Sequence, residues 1–402
     1  MSIIQKFEKL GVDNAPGQEC RQNVGEIDIR GEKISGTPVD FSHGDVDAFP
    51  PIPGTLESFI EGVCMGGKQA YTEYRGKQSI REDLAAKISA FIGAKIDFEQ
   101  EIILTPGTQG ALFLAMGANI MSGDKIAFVE PDYFANRKLV EFFDGELVPI
   151  QMEYTKFTDR AGLDLKALEE AFKSGVKLFV FSNPNNPTGV IYSYNEICSI
   201  AKLGKEYGVT VIVDQLYSRQ IFDNRTYIHL CSQKMLPDNL ITIIGPSKTE
   251  SLSGYRLGVA FGTAAIIERM EKLQAIMALR CSGYNQAAFK GWFNEPDGWM
   301  KERIVQHQAI RDDILKELRT VRGIEARTTE GGSYLFVKLP VMDISMHDFV
   351  KVLRAQASVT VTPGIEFGPQ FVNWFRINFS QDHKAAVDAI KRIIKVMEWY
   401  RK

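Results

Sequence analysis

Residues 245–258, GPSKTESLSGYRLG, place one lysine, Lys248, eight residues before one arginine, Arg256, with small and hydroxyl-bearing residues between them. The preceding run LITIIG is continuously apolar and rich in β-branched residues, which reads as a buried strand. Lys248 therefore leaves a sheet at a strand end, where α/β sheets bind ligands. A primary amine and a guanidinium so close together suit a ligand with both a reactive carbonyl and an anionic group. Alone, the pair reads equally well as a solvated loop.

Three further stretches supply complementary chemistry. SNPNNPTG, residues 182–189, packs two prolines and three asparagines into a rigid turn whose side-chain amides can reach a ligand. VTVIVDQLY ends a strand with Asp214 and places Tyr217 three residues later. TPGTQGALF sets Gly107, Thr108 and Gln109 at a helix start, where free N–H groups and the positive end of the helix dipole attract an anion. Singly, each has a plain alternative: Asp214 a helix cap, Tyr133 a core ring, Arg376 a surface arginine on an alternating strand. Jointly, an amine, an anion cradle, a carboxylate, a phenol and an arginine are what a phosphorylated aldehyde with a ring nitrogen would use. Pyridoxal 5'-phosphate is such a molecule, needing a lysine for a Schiff base and an acid for its ring nitrogen.

From about Gly44 to Arg376 the chain resembles the class I/II (fold type I) pyridoxal-phosphate aminotransferases. Seven features follow in the family's order: Tyr71 five residues before Gly76, the glycine-rich helix start, Tyr133 after EPD, NPNNPTG, DQLY, the lysine with its arginine eight residues on, and FRINF. The resemblance implies an α/β fold, with a large domain on a mostly parallel mixed sheet sandwiched by helices and a smaller α+β domain. It implies transfer of an amino group between an L-amino acid and a 2-oxo acid. It also implies a homodimer with shared active sites.

By the same resemblance, Lys248 carries the cofactor as a Schiff base and shuttles the proton of the substrate Cα, and Asp214 keeps the ring nitrogen protonated. Tyr217 and Asn186 bond the ring oxygen, and Tyr133 stacks on the ring. Gly107, Thr108, Gln109 and Arg256 hold the phosphate, with Tyr71 reaching it from the neighbouring subunit. Arg376 grips the substrate carboxylate, helped by the backbone at Gly44 and bordered by Asn186. Many members carry a serine three residues before the lysine as a phosphate ligand. Gly245 stands there in this chain, and Ser247 or a backbone N–H is the expected substitute. The scaffold also supports a β-lyase, a decarboxylase or an amino-acid oxidase, which share the first steps. His43 and Arg280 are candidates for the substrate side chain, with a turn cap and a surface ion pair as their plain alternatives.

These residues need elements to position them. EIILT, KIAFVE, KLFVFSN, VTVIVD, LITIIG and RLGVAFG are short apolar runs alternating with helical patterns such as TQGALFLAMGANIMSG and YNEICSIAKLGKEYG, each closed by a glycine. That alternation is the mark of a sheet with crossover helices on both faces. After about residue 285 a long polar helical stretch, MKERIVQHQAIRDDILKELRTV, leads to short strands near GSYLFVKL and NWFRINFS and a closing helix. The expected division is a segment 1–50 packing on the small domain, a large cofactor-binding domain 51–288 and a small domain 289–402.

Composition narrows the class. Of 402 residues 45% are apolar and 24% charged, ordinary globular usage, and the net charge of -3 gives no basic footprint for nucleic acid. A ligand-sensing regulator on this fold would add a basic DNA-binding segment, and no such segment precedes Gly44. No apolar run approaches the roughly 20 residues of a membrane helix, and the first residues lack the apolar core of a signal peptide. Five scattered cysteines without a C-x-x-C pair suit reduced thiols in the cytoplasm. GVCMGGKQ has P-loop spacing but ends in Gln69, where a hydroxyl must meet Mg²⁺, and it follows a helical pattern. None of the five histidines is paired at metal-ligand spacing.

Overall fold

The six apolar runs become strands of one seven-stranded sheet. In chain order its strands are β1 (Ile102–Pro106), β2 (Lys125–Glu130), β3 (Glu146–Gln151), β4 (Leu178–Ser182), β5 (Thr210–Asp214), β6 (Leu240–Ile244) and β7 (Leu257–Gly262). The computed structural model describes residues 2–11 and 27–402; Cys20 and part of the 1–50 segment lie outside them. The spatial order is β1-β7-β6-β5-β4-β2-β3, and only β7 runs against its neighbours. The sheet is thus mixed and mostly parallel. β4 and β6 are buried at every position, as strands covered by helices on both faces must be.

The sequence reading missed β3. Its residues ELVPIQ are mostly exposed or half-buried and contain Pro149, so they lack the apolar run that marked the others. Pro149 is tolerated because β3 is an edge strand, paired only with β2. The helix after β1 also ends earlier than its glycine suggested. It spans Gly107–Gly117, and the Asn119 amide donates to the Ala115 carbonyl at 2.7 Å. Gly123 belongs to the turn into β2, at φ +85°.

A second sheet orders Thr362–Pro363, Trp374–Asn378, Tyr334–Lys338 and Glu325–Ala326, all antiparallel. The helices Trp299–Leu318 and His383–Tyr400 contribute Ile310, Ile314, Ile390 and Val396 to its core, around Phe375 and Ile377. Val39–Asp40 pairs in parallel with Val359–Thr360, so this part of the N-terminal segment lies on C-terminal elements. The helix Ile3–Leu10 does not follow the expected docking on the small domain. It sits beside the helix Phe134–Phe142, where Lys138 donates to the Gly11 carbonyl at 2.7 Å. Its Lys6 and Lys9 pair there with Asp144 and Glu141.

The loop after β4 joins the two sheets. Gly189 has φ +66°, and a Cβ there would meet the Thr329 methyl at 2.0 Å, so only glycine fits. Its carbonyl accepts the N–H groups of Glu330 and Gly331, each at 2.9 Å. Downstream, Ser193 and Glu196 form the capping box of the helix Tyr194–Tyr207. The buried Glu196 carboxylate also accepts the N–H groups of Ala161, Gly162 and Leu163 at 3.1, 2.8 and 3.1 Å. Glu196→Ala strands those donors, so it is expected to destabilise the protein by about 3 kcal/mol, seen as a lower urea midpoint. The folded fraction should keep near-normal kcat.

Candidate active site

Neighbouring strand ends set the site. Ser182, at the end of β4, is in register with Asp214, at the end of β5, and Asp214 with Ile243 of β6. The three loops that follow therefore emerge side by side, carrying Asn186, Tyr217 and Lys248. They meet the start of the helix Gly107–Gly117 and the second sheet's Arg376 around a cavity of about 220 Å³. Its walls include Thr108, Gln109, Tyr133, Asn186, Asp214, Tyr217, Ser247, Lys248, Arg256, Arg376 and His43. Eleven of the fifteen candidate site residues named from the sequence thus line one cavity.

Gly107 lies beneath it, at φ +74°. A Cβ there would stand 2.5 Å from an Arg256 Nη, so the guanidinium packs directly over the helix start. Arg256 itself holds a left-handed φ of +52°, an uncommon conformation for this residue. Gly44 lines an adjoining cavity with Ser251, Ser253, Ser333 and Ser380. Tyr71 lines neither cavity: it is 82% exposed, and Arg280 rests 5.5 Å from its ring.

The charges at the site are short of partners. Arg376 is 2% exposed and donates to the Asn186 side-chain oxygen at 3.1 Å, the Ser42 carbonyl at 2.8 Å and the Thr362 hydroxyl at 3.3 Å. Its Nε has no partner, and no described carboxylate pairs with it. Among the described residues the Asp214 carboxylate accepts one hydrogen bond, from the Leu216 N–H at 3.1 Å. Burial pushes its carboxyl up to about 6. The Lys248 amine has no hydrogen-bond or ion-pair partner among the described residues.

Around them the polar groups are engaged. Tyr133 donates to the Gln109 side-chain oxygen at 2.9 Å. Tyr217 donates to the Tyr334 hydroxyl at 2.8 Å; burial pushes the Tyr217 phenol up. Tyr334 is buried too, yet Arg376 and Lys248 hold its phenol below the usual tyrosine range. His43 is raised to about 9 by its contact with Asp40, at 3.4 Å.

Pyridoxal 5'-phosphate fits these residues. A phosphate suits the helix start under Arg256, a protonated ring nitrogen suits the uncompensated Asp214, and an aldehyde suits the free Lys248 amine. Gly245 finds a physical reason here. A Cβ at that position would lie 2.8 Å from the Thr108 methyl, so Thr108 occupies the space a serine would need. Ser247 reaches the cavity, although its hydroxyl donates to the Leu257 carbonyl at 3.3 Å.

Sequence reasoning missed Tyr334, Ser182 and Asp132. Tyr334 was read only as part of a strand. Asp132 lay inside the EPD motif, but nothing in its spacing showed that it would accept the Ser182 and Tyr133 N–H groups at 2.9 and 2.5 Å. Burial pushes Asp132 up to about 7.

The family model for aminotransferase class I and II matches residues 39–393. A crystal structure of an aspartate aminotransferase from Rhodobacter sphaeroides superposes with a TM-score of 0.96 at 56% identity, over 100% of both chains. An aspartate aminotransferase of Sulfurisphaera tokodaii is 28% identical over 86% of this chain and 87% of its own. The N-succinyldiaminopimelate aminotransferase of Mycobacterium tuberculosis shares the fold, at TM-score 0.81 and 21% identity over 89% of this chain and 93% of its own. All three are named as aminotransferases, and none as a lyase, decarboxylase or oxidase. With its strand-end cavity and that match along most of its length, the chain belongs to the class I and II aminotransferases. They are pyridoxal-phosphate enzymes that move an amino group between an amino acid and a 2-oxo acid.

Proposed function

We propose that the protein transfers the amino group of L-aspartate, using Lys248 as the residue that carries the cofactor. The observation behind the chemistry is the pair of uncompensated charges, Asp214 and Arg376, in one cavity with a free lysine. The donor rests on the relatives' names, above all that of the 56% identical one. Bound in the cavity, pyridoxal 5'-phosphate supplies a carbonyl for the substrate amine and a ring that accepts electrons from Cα. Lys248 takes the Cα proton and returns it. Asp214 holds the proton of the ring nitrogen, and Tyr217 with Asn186 bonds the ring oxygen. Tyr133 covers the ring face. Thr108, Gln109, Ser247 and Arg256 anchor the phosphate at the Gly107 helix start. Arg376 orients the substrate carboxylate beside Asn186 and Gly44, while His43 borders the substrate side chain. With 2-oxoglutarate as acceptor, kcat/KM for L-aspartate should exceed that for L-alanine or L-phenylalanine at least 100-fold. Equal values would remove the donor assignment.

In this reading a large domain, 51–288, supplies most of the cavity walls, and a small domain, 289–402, supplies Tyr334 and Arg376. The four described cysteines are free, which suits a cytoplasmic protein. A homodimer is supported by exposed apolar side chains close in sequence to Tyr71 and to Arg280, which packs on its ring: Leu56, Ile60, Val63 and Met65 before Tyr71, and Ile276 and Leu279 before Arg280. If Tyr71 serves the partner's phosphate, two crippled parents complement each other. Mixing Lys248→Ala with an impaired Tyr71 variant should restore about half of a wild-type dimer's activity per mixed dimer, if the sites act independently. No recovery despite subunit exchange would place Tyr71 outside the partner's site.

Asp214 makes the cofactor-free protein pH-sensitive. Its folded pKa, about 6, is raised from 3.8. The resulting penalty is absent at low pH, grows as pH rises past 3.8, and is complete above about 6. At full size it is on the order of 3 kcal/mol. Cofactor-free Asp214→Asn should therefore melt above the cofactor-free wild type at pH 8 but not at pH 4. With cofactor bound the order should reverse at pH 8, because an amide cannot pair with a cationic ring.

A further inference from the structure

Two of the loops that form the site are also joined behind it. Arg219, two residues beyond Tyr217, donates to Glu250, two residues beyond Lys248, at 2.6 Å. The same guanidinium donates to both oxygens of Glu295, at 2.6 and 3.1 Å, and lies 4.0 Å from the Phe293 ring centroid. The side chains are 11, 1 and 9% exposed for Arg219, Glu250 and Glu295. Glu295 also accepts the Phe293 N–H at 3.1 Å, which fixes the third arm of the cluster. On the other side, Ser251 receives a hydrogen bond from Arg303 of the helix Trp299–Leu318, at 3.0 Å. Between these two anchors the Lys248 turn closes on itself, with the Ser251 N–H on the Lys248 carbonyl at 3.1 Å and Ser251 at φ +58°.

A buried ion cluster is not a strong source of net stability, and apolar replacements of similar volume often serve as well. Its geometric effect is more specific: the bidentate contact with Glu295 fixes the direction of the Arg219 guanidinium, which then presents one Nη to Glu250. The Lys248 side chain has no partner among the described residues, so its backbone must supply the position from which the amine works. We infer that Glu250, held by the Arg219 guanidinium that Glu295 orients, is a positioning residue that keeps the Lys248 turn in register with Tyr217 while leaving the amine free to move. The inference rests on the assignment of Lys248 as the cofactor-bearing lysine, and borohydride reduction with peptide mapping of the wild-type protein tests that separately.

The test compares Glu250→Ala with Glu250→Gln, which keeps an acceptor for Arg219. Glu250→Ala is expected to lower kcat at least tenfold, with KM for both substrates within about threefold. It should also move the pH midpoint of the bound cofactor's visible absorbance by half a unit or more. Glu250→Gln should recover most of kcat and the midpoint. Melting of the cofactor-free proteins separates a structural role. If Glu250→Ala only lowers the melting temperature, and the folded protein keeps wild-type kcat and midpoint, the inference is overturned. If Glu250→Ala does not fold, Glu250→Asp replaces it, keeping the charge but shortening the reach. A kcat at least fivefold below that of Glu250→Gln then supports positioning, and equality of the two overturns it.

Discussion

The cavity holds two charges that the protein does not neutralise, a buried arginine and a half-buried aspartate. Arg376 sits among neutral acceptors, and Asp214 keeps a single backbone N–H. Removing a charge from water is unfavourable unless a partner replaces the lost hydration. Within the chain that deficit is left standing, and it is of opposite sign at the two residues. A substrate carboxylate at Arg376 and a cationic ring nitrogen at Asp214 would each relieve it. Binding energy and catalytic electrostatics then come from the same arrangement, because the charges are already oriented before ligands arrive.

The architecture explains how such charges can be held. Asp214 closes a strand flanked by β4 and β6, so its backbone is fixed on both sides by parallel pairing. Arg376 lies on the central part of the second sheet, opposite Phe336 on one side and Thr362 on the other. The guanidinium packs 4.4 Å from the Tyr334 ring centroid and 5.1 Å from that of Phe367. The loop 183–189 then ties the sheets together at Gly189 and brings Asn186 to Arg376. Rigid strands carry the charged groups and hydrogen-bonded turns carry Tyr217 and Lys248. That division suits a site in which one group must move and the rest must not.

Much of this was legible because the informative residues cluster in short motifs. Six strands showed as apolar runs, since strands buried on both faces leave no polar alternation to confuse the reading. β3 did not show, because an edge strand with Pro149 has neither an apolar run nor a clean period. Lys248, Asp214, Asn186 and Arg256 were recognisable from spacing and motif order. Tyr334 was not: its approach to Tyr217 depends on packing between two sheets 117 residues apart in sequence. The Arg219–Glu250–Glu295 cluster was hidden for the same reason. So was the meaning of Gly245, which depends on the volume of Thr108 and not on its own neighbours in sequence.

The most direct measurement is the titration of the Asp214 carboxyl itself, followed by carbon-13 NMR with aspartate labelling and assigned by its absence from Asp214→Asn. Without cofactor the group should titrate near 6, as burial dictates. With cofactor bound it should remain ionised well below that, because a cationic partner then faces it. An ordinary carboxyl value in the cofactor-free protein, or a titration that the cofactor leaves unchanged, would contradict the account of a cavity built around unpaired buried charge.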